Sequence, residues 1–204
     1  MNDSANLKSP AVLNAIREDL TATTFTMSSD NLTGSLLRTL AASKPRGSLL
    51  ELGTGAGVST AWLLDGMDAE ATLISVDNDR DVQAIAKRHL GADPRMTFVL
   101  ADGQPFIESH RQERFDLIFA DTWPGKFHLV DEVLAMLSWG GLYIVDDLLP
   151  VDSWPPEHSN QVVRLVNYLE KRPDLMVTKL SWSTGLLVAA KGRLGASWGD
   201  EAAL

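Results

Sequence analysis

The sequence predicts a doubly wound α/β fold: a mostly parallel seven-stranded sheet, helices on both faces, and a C-terminal antiparallel hairpin, all in a single domain. Three observations predict it. Short continuous apolar runs alternate with segments of helical period from residue 48 to residue 171, as parallel strands covered on both faces require. The first run passes through Glu51 and Leu52 into Gly53, Gly55 and Gly57, and a helical segment follows, which reads as strand, tight turn and helix. The last two runs are joined only by Ser181-Trp182-Ser183-Thr184-Gly185, too short a link for a crossover, so they pair antiparallel.

Each element has its own signal. Val12, Leu13, Ile16 and Leu20 recur at helical spacing over 10–20. Residues 21–33 are rich in Thr, Ser, Asp and Asn and read as a polar loop. Thr33 is the expected cap of a helix over 34–43, which turns its Leu36, Leu37 and Leu40 inward and ends at Lys44-Pro45-Arg46-Gly47. Strands are expected at 49–52, 72–76, 96–100, 115–120 and 142–145. Helices are expected at 58–66, 79–90, 103–110 and 127–138, with right-handed crossovers. A long loop, a helix over 158–171 and strands at 175–180 and 186–190 complete the pattern. The expected organisation is an N-terminal helical segment, 1–46, packed on a core of 47–190, with a loose tail at 191–204. Trp62, Trp139 and Trp182 are expected in the core or hairpin packing.

The 204 residues suit one full-sized core. A net charge of −9 argues against a nucleic-acid or anionic-membrane partner. There is no cysteine, hence no disulfide, thiolate metal site or cysteine nucleophile, which fits a reducing cytoplasmic setting. The opening Met1-Asn2-Asp3-Ser4 lacks a basic, apolar leader, and no apolar run reaches membrane-spanning length.

Spacing and charge identify the ligand of the glycine turn. The third glycine comes one residue too early for the dinucleotide fingerprint G-x-G-x-x-G, and Gly57-Val58-Ser59 offers no lysine for a phosphate cradle. Glu51, Asp77, Asp102, Asp121 and Asp146 fall at expected strand ends, where they would repel a pyrophosphate and favour a cation. S-adenosylmethionine, with a sulfonium, an ammonium and no phosphate, matches. Asp77, about 24 residues past Gly53, is placed to accept both ribose hydroxyls. Asp102, followed by Gly103, is placed to accept the adenine amine or to cap a helix. The expected cofactor set is Glu51, Gly53, Gly55, Gly57, Ser59, Asp77, Asn78, Asp102, Gly103 and Asp121.

The run Leu49-Leu50-Glu51-Leu52-Gly53-Thr54-Gly55-Ala56-Gly57, with Val76-Asp77, Ala101-Asp102-Gly103 and the segment from Phe115 to Asp121, resembles class I S-adenosylmethionine-dependent methyltransferases, whose fold is Rossmann-like. Gly34-Ser35-Leu36-Leu37, the segment from Gly140 to Asp147, and Thr184-Gly185-Leu186-Leu187 are similar to small-molecule O-methyltransferases of the catechol and caffeoyl-coenzyme A type. The resemblance implies methyl transfer to a small-molecule acceptor, most often a hydroxyl, and pairing into a homodimer. It also implies a divalent cation, Mg²⁺, Mn²⁺ or Ca²⁺, on Asp121, Asp146 and Asp147, which would acidify the hydroxyl. Two departures stand out. Asp147 replaces the family's Asn, so three carboxylates would overcompensate a dication, and Pro124 occupies the place of the family's lysine. Lys126, two residues on, is the candidate to act beside Asp121 as base or electrostatic partner. Trp123 and Trp154, in two proline-rich rim segments, are candidates to wall a flat acceptor, and His128 and His158 are further candidate bases. Two other readings stay open: a metal-independent N- or carboxyl-methyltransferase, and a non-catalytic S-adenosylmethionine-binding protein.

Overall fold

The computed structural model describes residues 2–5, 7–150 and 154–192. The chain runs α1 (Leu13–Leu20), α2 (Asn31–Ala42), β1 (Ser48–Leu52), α3 (Val58–Gly66), β2 (Thr72–Asp77), α4 (Arg80–Leu90), β3 (Met96–Leu100) and α5 (Gly103–Ser109). It continues β4 (Phe115–Ala120), α6 (Trp123–Lys126), α7 (Val130–Met136), β5 (Leu137–Val145), α8 (Pro156–Glu170), β6 (Leu175–Leu180) and β7 (Leu186–Lys191).

The seven strands form one sheet in the order β3-β2-β1-β4-β5-β7-β6. The first five are parallel, while β7 runs antiparallel to both β5 and β6. Connections from β1 go one way along the sheet and those from β4 the other, so a crevice opens between the carboxyl ends of β1 and β4, where such folds hold ligands.

Strand alternation splits the core into two layers. Leu49, Leu117, Phe119 and Ile144 face α1 to α4, packing with Leu13, Ile16, Leu37 and Trp62. Leu50, Ile118, Tyr143 and Val145 face the other way, onto Phe106, Val133 and Leu165 of α5, α7 and α8. Helix α3 is buried nearly all round, which accounts for its continuous apolar run. Gly34 permits a close helix contact: a Cβ there would stand 2.2 Å from Cδ1 of Trp62, so α2 lies flat on the indole.

Several elements differ from expectation. Helix α2 begins at Asn31, and its cap is Asp30, whose carboxylate accepts the Thr33 amide at 2.8 Å; Thr33 is buried in the first turn. The helix expected over 127–138 is only Val130–Met136. Leu137 pairs with Phe115 instead and starts a nine-residue β5, because sheet pairing outweighs the helical spacing of its apolar residues. Positive φ at Gly140 and a register shift between Phe115 and Leu117 let β5 resume at Leu142. Trp139, at this irregularity, is 57% exposed rather than packed, with the Lys191 amine 5.3 Å from its ring centroid. Trp62 is fully buried, and Trp182 is half-buried with its indole N–H donating to Asp3. All but the first two residues of the expected 191–204 tail, and Val151–Ser153 of the second rim segment, lie outside the described residues.

Candidate active site

The turn after β1 is built from backbone. Gly53, Gly55 and Gly57 all have positive φ. The amides of Gly53 and Thr54 both donate to the Val76 carbonyl, at 2.9 and 3.2 Å, which clamps the turn to β2. Asp77 holds it from the other side: one carboxylate oxygen accepts the Gly55 amide at 2.7 Å, and the other accepts the Asp79 amide at 2.8 Å. A carboxylate has about four acceptor positions, so each oxygen keeps capacity for a ligand hydroxyl. Gly57 starts α3, and a Cβ on it would lie 2.7 Å from that of Ala86 in α4.

Beneath the turn runs a buried polar chain. The Gln83 amide donates to Thr54 Oγ1 at 3.2 Å, Thr54 and Ser75 hydroxyls pair at 2.6 Å, and Ser75 donates to Glu51 at 2.5 Å. Thr60 donates to the same Glu51 oxygen at 2.6 Å, and the other oxygen, Oε1, has no partner among the described residues. Burial pushes the Glu51 carboxyl up to about 7, against the opposing pull of these hydroxyls.

Above the turn lies a cleft of about 260 Å³. Its floor is Gly53, Thr54, Gly55 and Ser59; one wall carries Asp77, Asn78 and Asp79, and the far end carries Asp121 and Thr122. The outer wall is Phe25, Met27, Ser28 and Ser29, from the loop before α2. Among the described residues, three aspartates and no lysine or arginine line it. The structure thus brings together Gly53, Gly55, Ser59, Asp77, Asn78 and Asp121 of the expected cofactor set. Glu51 and Gly57 are not among the residues that line the cleft. Glu51 points under α3, on the Leu49 side of its strand, and braces the turn from below, while Gly57 is buried by α4. Asp102 and Gly103 also lie outside the cleft lining. Asp102 caps α5 by accepting the Gln104 amide at 2.9 Å, and its other oxygen stands 3.5 Å from the Asn78 side-chain nitrogen.

A charged cluster adjoins the cleft at the carboxyl ends of β4 and β5. Asp121, Asp146 and Asp147 interact with one another and with the ammonium of Lys126. Asp146 is 2% and Lys126 3% exposed. Burial, then the neighbouring carboxylates, lifts Asp121 well above the usual carboxylate range, and burial and Asp147 lift Asp146 to about 6. Burial lowers the Lys126 pKa, while the three aspartates hold its proton on. Lys126 reaches the cluster because the chain kinks in α6. Pro124 (ψ 127°) and Gly125 (φ 89°) are non-helical, and the Gly125 carbonyl accepts the buried Tyr143 hydroxyl at 2.5 Å.

The metal centre that the resemblance implies on Asp121, Asp146 and Asp147 is not shown by these donors. Among the described residues no three His, Cys, Asp or Glu side chains are grouped to hold an ion. Asp146 Oδ1 already accepts the Thr184 hydroxyl at 2.5 Å and the Asp147 amide at 2.7 Å, and a fixed positive charge faces the set.

An aromatic group stands beside Lys126. Its Nζ is 5.3 Å from the Phe127 ring and 5.5 Å from the Trp154 ring. Trp154 meets His158 edge-on at 3.7 Å between centroids, and Phe127 meets His158 at 5.2 Å. Trp123 is 42% exposed at the rim. His158 is 3% exposed, and burial followed by the charge of Lys126 pushes its pKa down to about 4. It is therefore neutral at pH 7. His128 is exposed on the outside of the kink. Composition hid two contributors. Phe25 and Met27 interrupt a Thr/Ser run, the sole sequence sign that this loop folds over the cleft. Ser183 and Thr184, at the hairpin turn, reach Asp30 and Asp146, both at 2.5 Å.

The fold and cleft together define a Rossmann-like α/β protein with an acid-lined cleft at the carboxyl ends of its parallel strands. Residues 50–148 match the family described as "Methyltransferase domain". It is 35% identical over 117 residues to a curated protein of Mycolicibacterium vanbaalenii named "Putative O-methyltransferase", an alignment covering 55% of this chain and 52% of that one. The chain thus spans about half the length of the curated relatives it matches. Two solved structures share the fold. The O-methyltransferase TomG from Streptomyces achromogenes, in complex with SAM, has a TM-score of 0.81 at 19% identity over 94% of each chain. The O-methyltransferase from Bacillus cereus, in complex with SAH, has a TM-score of 0.80 at 17% identity over 93% of this chain and 94% of that one.

Proposed function

We propose that this chain transfers a methyl group from S-adenosylmethionine to a hydroxyl of a small-molecule acceptor. One observation carries the reading: the cleft over the glycine turn is walled by Asp77, Asp79 and Asp121 and has no cationic side chain among its described lining residues. Such a site disfavours phosphates and favours an adenosyl group bearing a sulfonium and an ammonium. The names of the relatives and the ligands of the two fold neighbours support the same reading. Bound there, S-adenosylmethionine supplies an electrophilic methyl group to an acceptor oxygen aligned with it.

The chain's own residues have distinct tasks in this reading. The bare backbone of Gly53 and Gly55, with Ser59, receives the ligand's amino-acid end. Asp77 accepts ribose hydroxyls with the lone pairs left by its two backbone contacts. Asp102 takes the adenine amine at the rim through the oxygen not used in capping. Asp121 lines the cleft and also belongs to the charged cluster, so it stands between donor and acceptor. Its raised pKa suits it to hold the proton that an acceptor hydroxyl gives up. Trp123 and Trp154 flank a flat acceptor and keep water away from it.

Isothermal calorimetry with S-adenosylhomocysteine and S-adenosylmethionine tests the reading, with NAD as comparison in a thermal-shift assay. Both adenosyl ligands are expected to bind and to raise the unfolding midpoint, whereas NAD is expected to do neither. Folded protein that takes up neither adenosyl ligand ends the proposal. Turnover across a panel of hydroxylated aromatics then tests the acceptor class.

A further inference from the structure

We infer that the Lys126 ammonium is the resident cation of the charged cluster, so that Asp121, Asp146 and Asp147 are balanced from within the chain and the site works without a divalent metal. This deepens the proposed function by naming what supplies positive charge at the acceptor end.

Four observations carry it. The Lys126 side chain is almost wholly buried, yet no oxygen acceptor pairs with it at salt-bridge distance among the described residues. Among the described residues it has therefore been taken out of water without a single carboxylate partner. Burying a charge in that way is costly unless opposite charge surrounds it. That charge comes from three carboxylates on two strands, Asp121 after β4 and the Asp146–Asp147 pair after β5. The kink at Pro124 and Gly125 is what delivers the amine. A Cβ on Gly125 would stand 2.4 Å from Leu52 Cδ1, and Tyr143 fastens the same residue's carbonyl, so the turn is fixed in the conformation that sends Lys126 inward. Phe127 and Trp154 close the outer side of the amine with their rings, a setting that suits an ammonium and offers nothing to a hydrated dication. Finally, Asp147 adds a third carboxylate to the two that Asp121 and Asp146 supply. An ammonium brings half the charge of a divalent ion, but it is tethered to the chain. Its donors are also directional, so it can hold an acceptor oxygen as well as balance the acids.

The experiment compares the intact chain with Lys126→Met, which keeps the length and removes the charge, and with Lys126→Arg, which keeps the charge. Each is titrated with Mn²⁺ by calorimetry, and its unfolding midpoint is measured with EDTA, Mg²⁺, Mn²⁺ or Ca²⁺. The unaltered chain should bind no Mn²⁺ at the site, and its midpoint should move with neither chelator nor cation. Lys126→Met should melt several degrees lower, and Mn²⁺ or Ca²⁺ should restore part of the loss, with at least about tenfold tighter Mn²⁺ binding than the unaltered chain. Lys126→Arg should behave as the unaltered chain does. If Lys126→Met does not fold, Lys126→Met with Asp147→Asn, which removes one of the stranded charges, should recover folded protein. Stoichiometric Mn²⁺ binding by the unaltered chain, or a Lys126→Met midpoint that does not fall, overturns the inference. S-adenosylhomocysteine binding, measured on the same samples, is a separate readout. Its absence would remove the proposed function and leave the cation result standing, and the reverse also holds.

Discussion

Asp77 has a structural duty beside the binding one proposed for it, and the two can be separated by substitution. Its carboxylate receives the amides of Gly55 and Asp79, and it lines the cleft. Asp77→Asn preserves shape but loses charge and one acceptor, so S-adenosylhomocysteine affinity in calorimetry should fall about tenfold or more, the size of a charge-assisted contact. Unchanged affinity would exclude Asp77 from ligand binding. Its place at the end of the neighbouring strand was legible from its spacing after Gly53. Glu51 was not legible in the same way. It too ends near a strand terminus, but strand alternation turns it toward the Leu49 face, where Ser75 and Thr60 hold it. Burial pushes its carboxyl up to about 7 in the folded protein, from 4.5 for a free glutamate side chain. The native state therefore binds its proton more tightly than the unfolded chain does. The contribution is complete below about 4.5 and is lost as pH rises through 7. Glu51→Gln should flatten the fall in stability over that interval, by at most about 1.4 kcal/mol per pH unit, in chemical denaturation at stepped pH.

At the scale of elements, buried strands were the easiest to read. β3 and β4 match their expected limits because apolar runs between turn signals leave little choice. Helix ends were harder. Asp30 rather than Thr33 caps α2 because Asp30 is also tied to the hairpin turn through Ser183, a contact invisible in a linear chain. The α7–β5 boundary moved because Leu137 found a partner in Phe115. The α2–α3 contact gives a prediction whose sign needs two opposing magnitudes. Gly34→Ala gains about 1 kcal/mol of helix propensity. The added methyl would meet the Trp62 indole at 2.2 Å, forcing the helices apart at a cost of about 1–3 kcal/mol in a packed core. Overpacking should win, and the melting midpoint should drop; a rise would mean that α2 slides freely on α3.

For the whole molecule, the two apolar layers share one sheet, and side-chain contacts tie the chain's beginning to its end: Asp3 to Trp182, and Asp30 and Thr33 to Ser183. The N-terminal helices and the core should therefore unfold together, as a single calorimetric transition with matching van't Hoff and calorimetric enthalpies. Two separated transitions would show that the first two helices are a detachable unit. The topology was legible because it follows from the order of strands and crossovers. The surroundings of Asp121 were not, because the approach of Lys126 to it depends on a kink at two residues, Pro124 and Gly125.

Phe25 comes within 3.1 Å of where a Cβ on Gly55 would sit, so the roof of the cleft is made by chain that precedes every strand. A guest molecule would press on that roof as it enters. Its arrival should consequently register at the chain's leading end, as slower protease cutting between residues 21 and 30, long before any chemistry is seen.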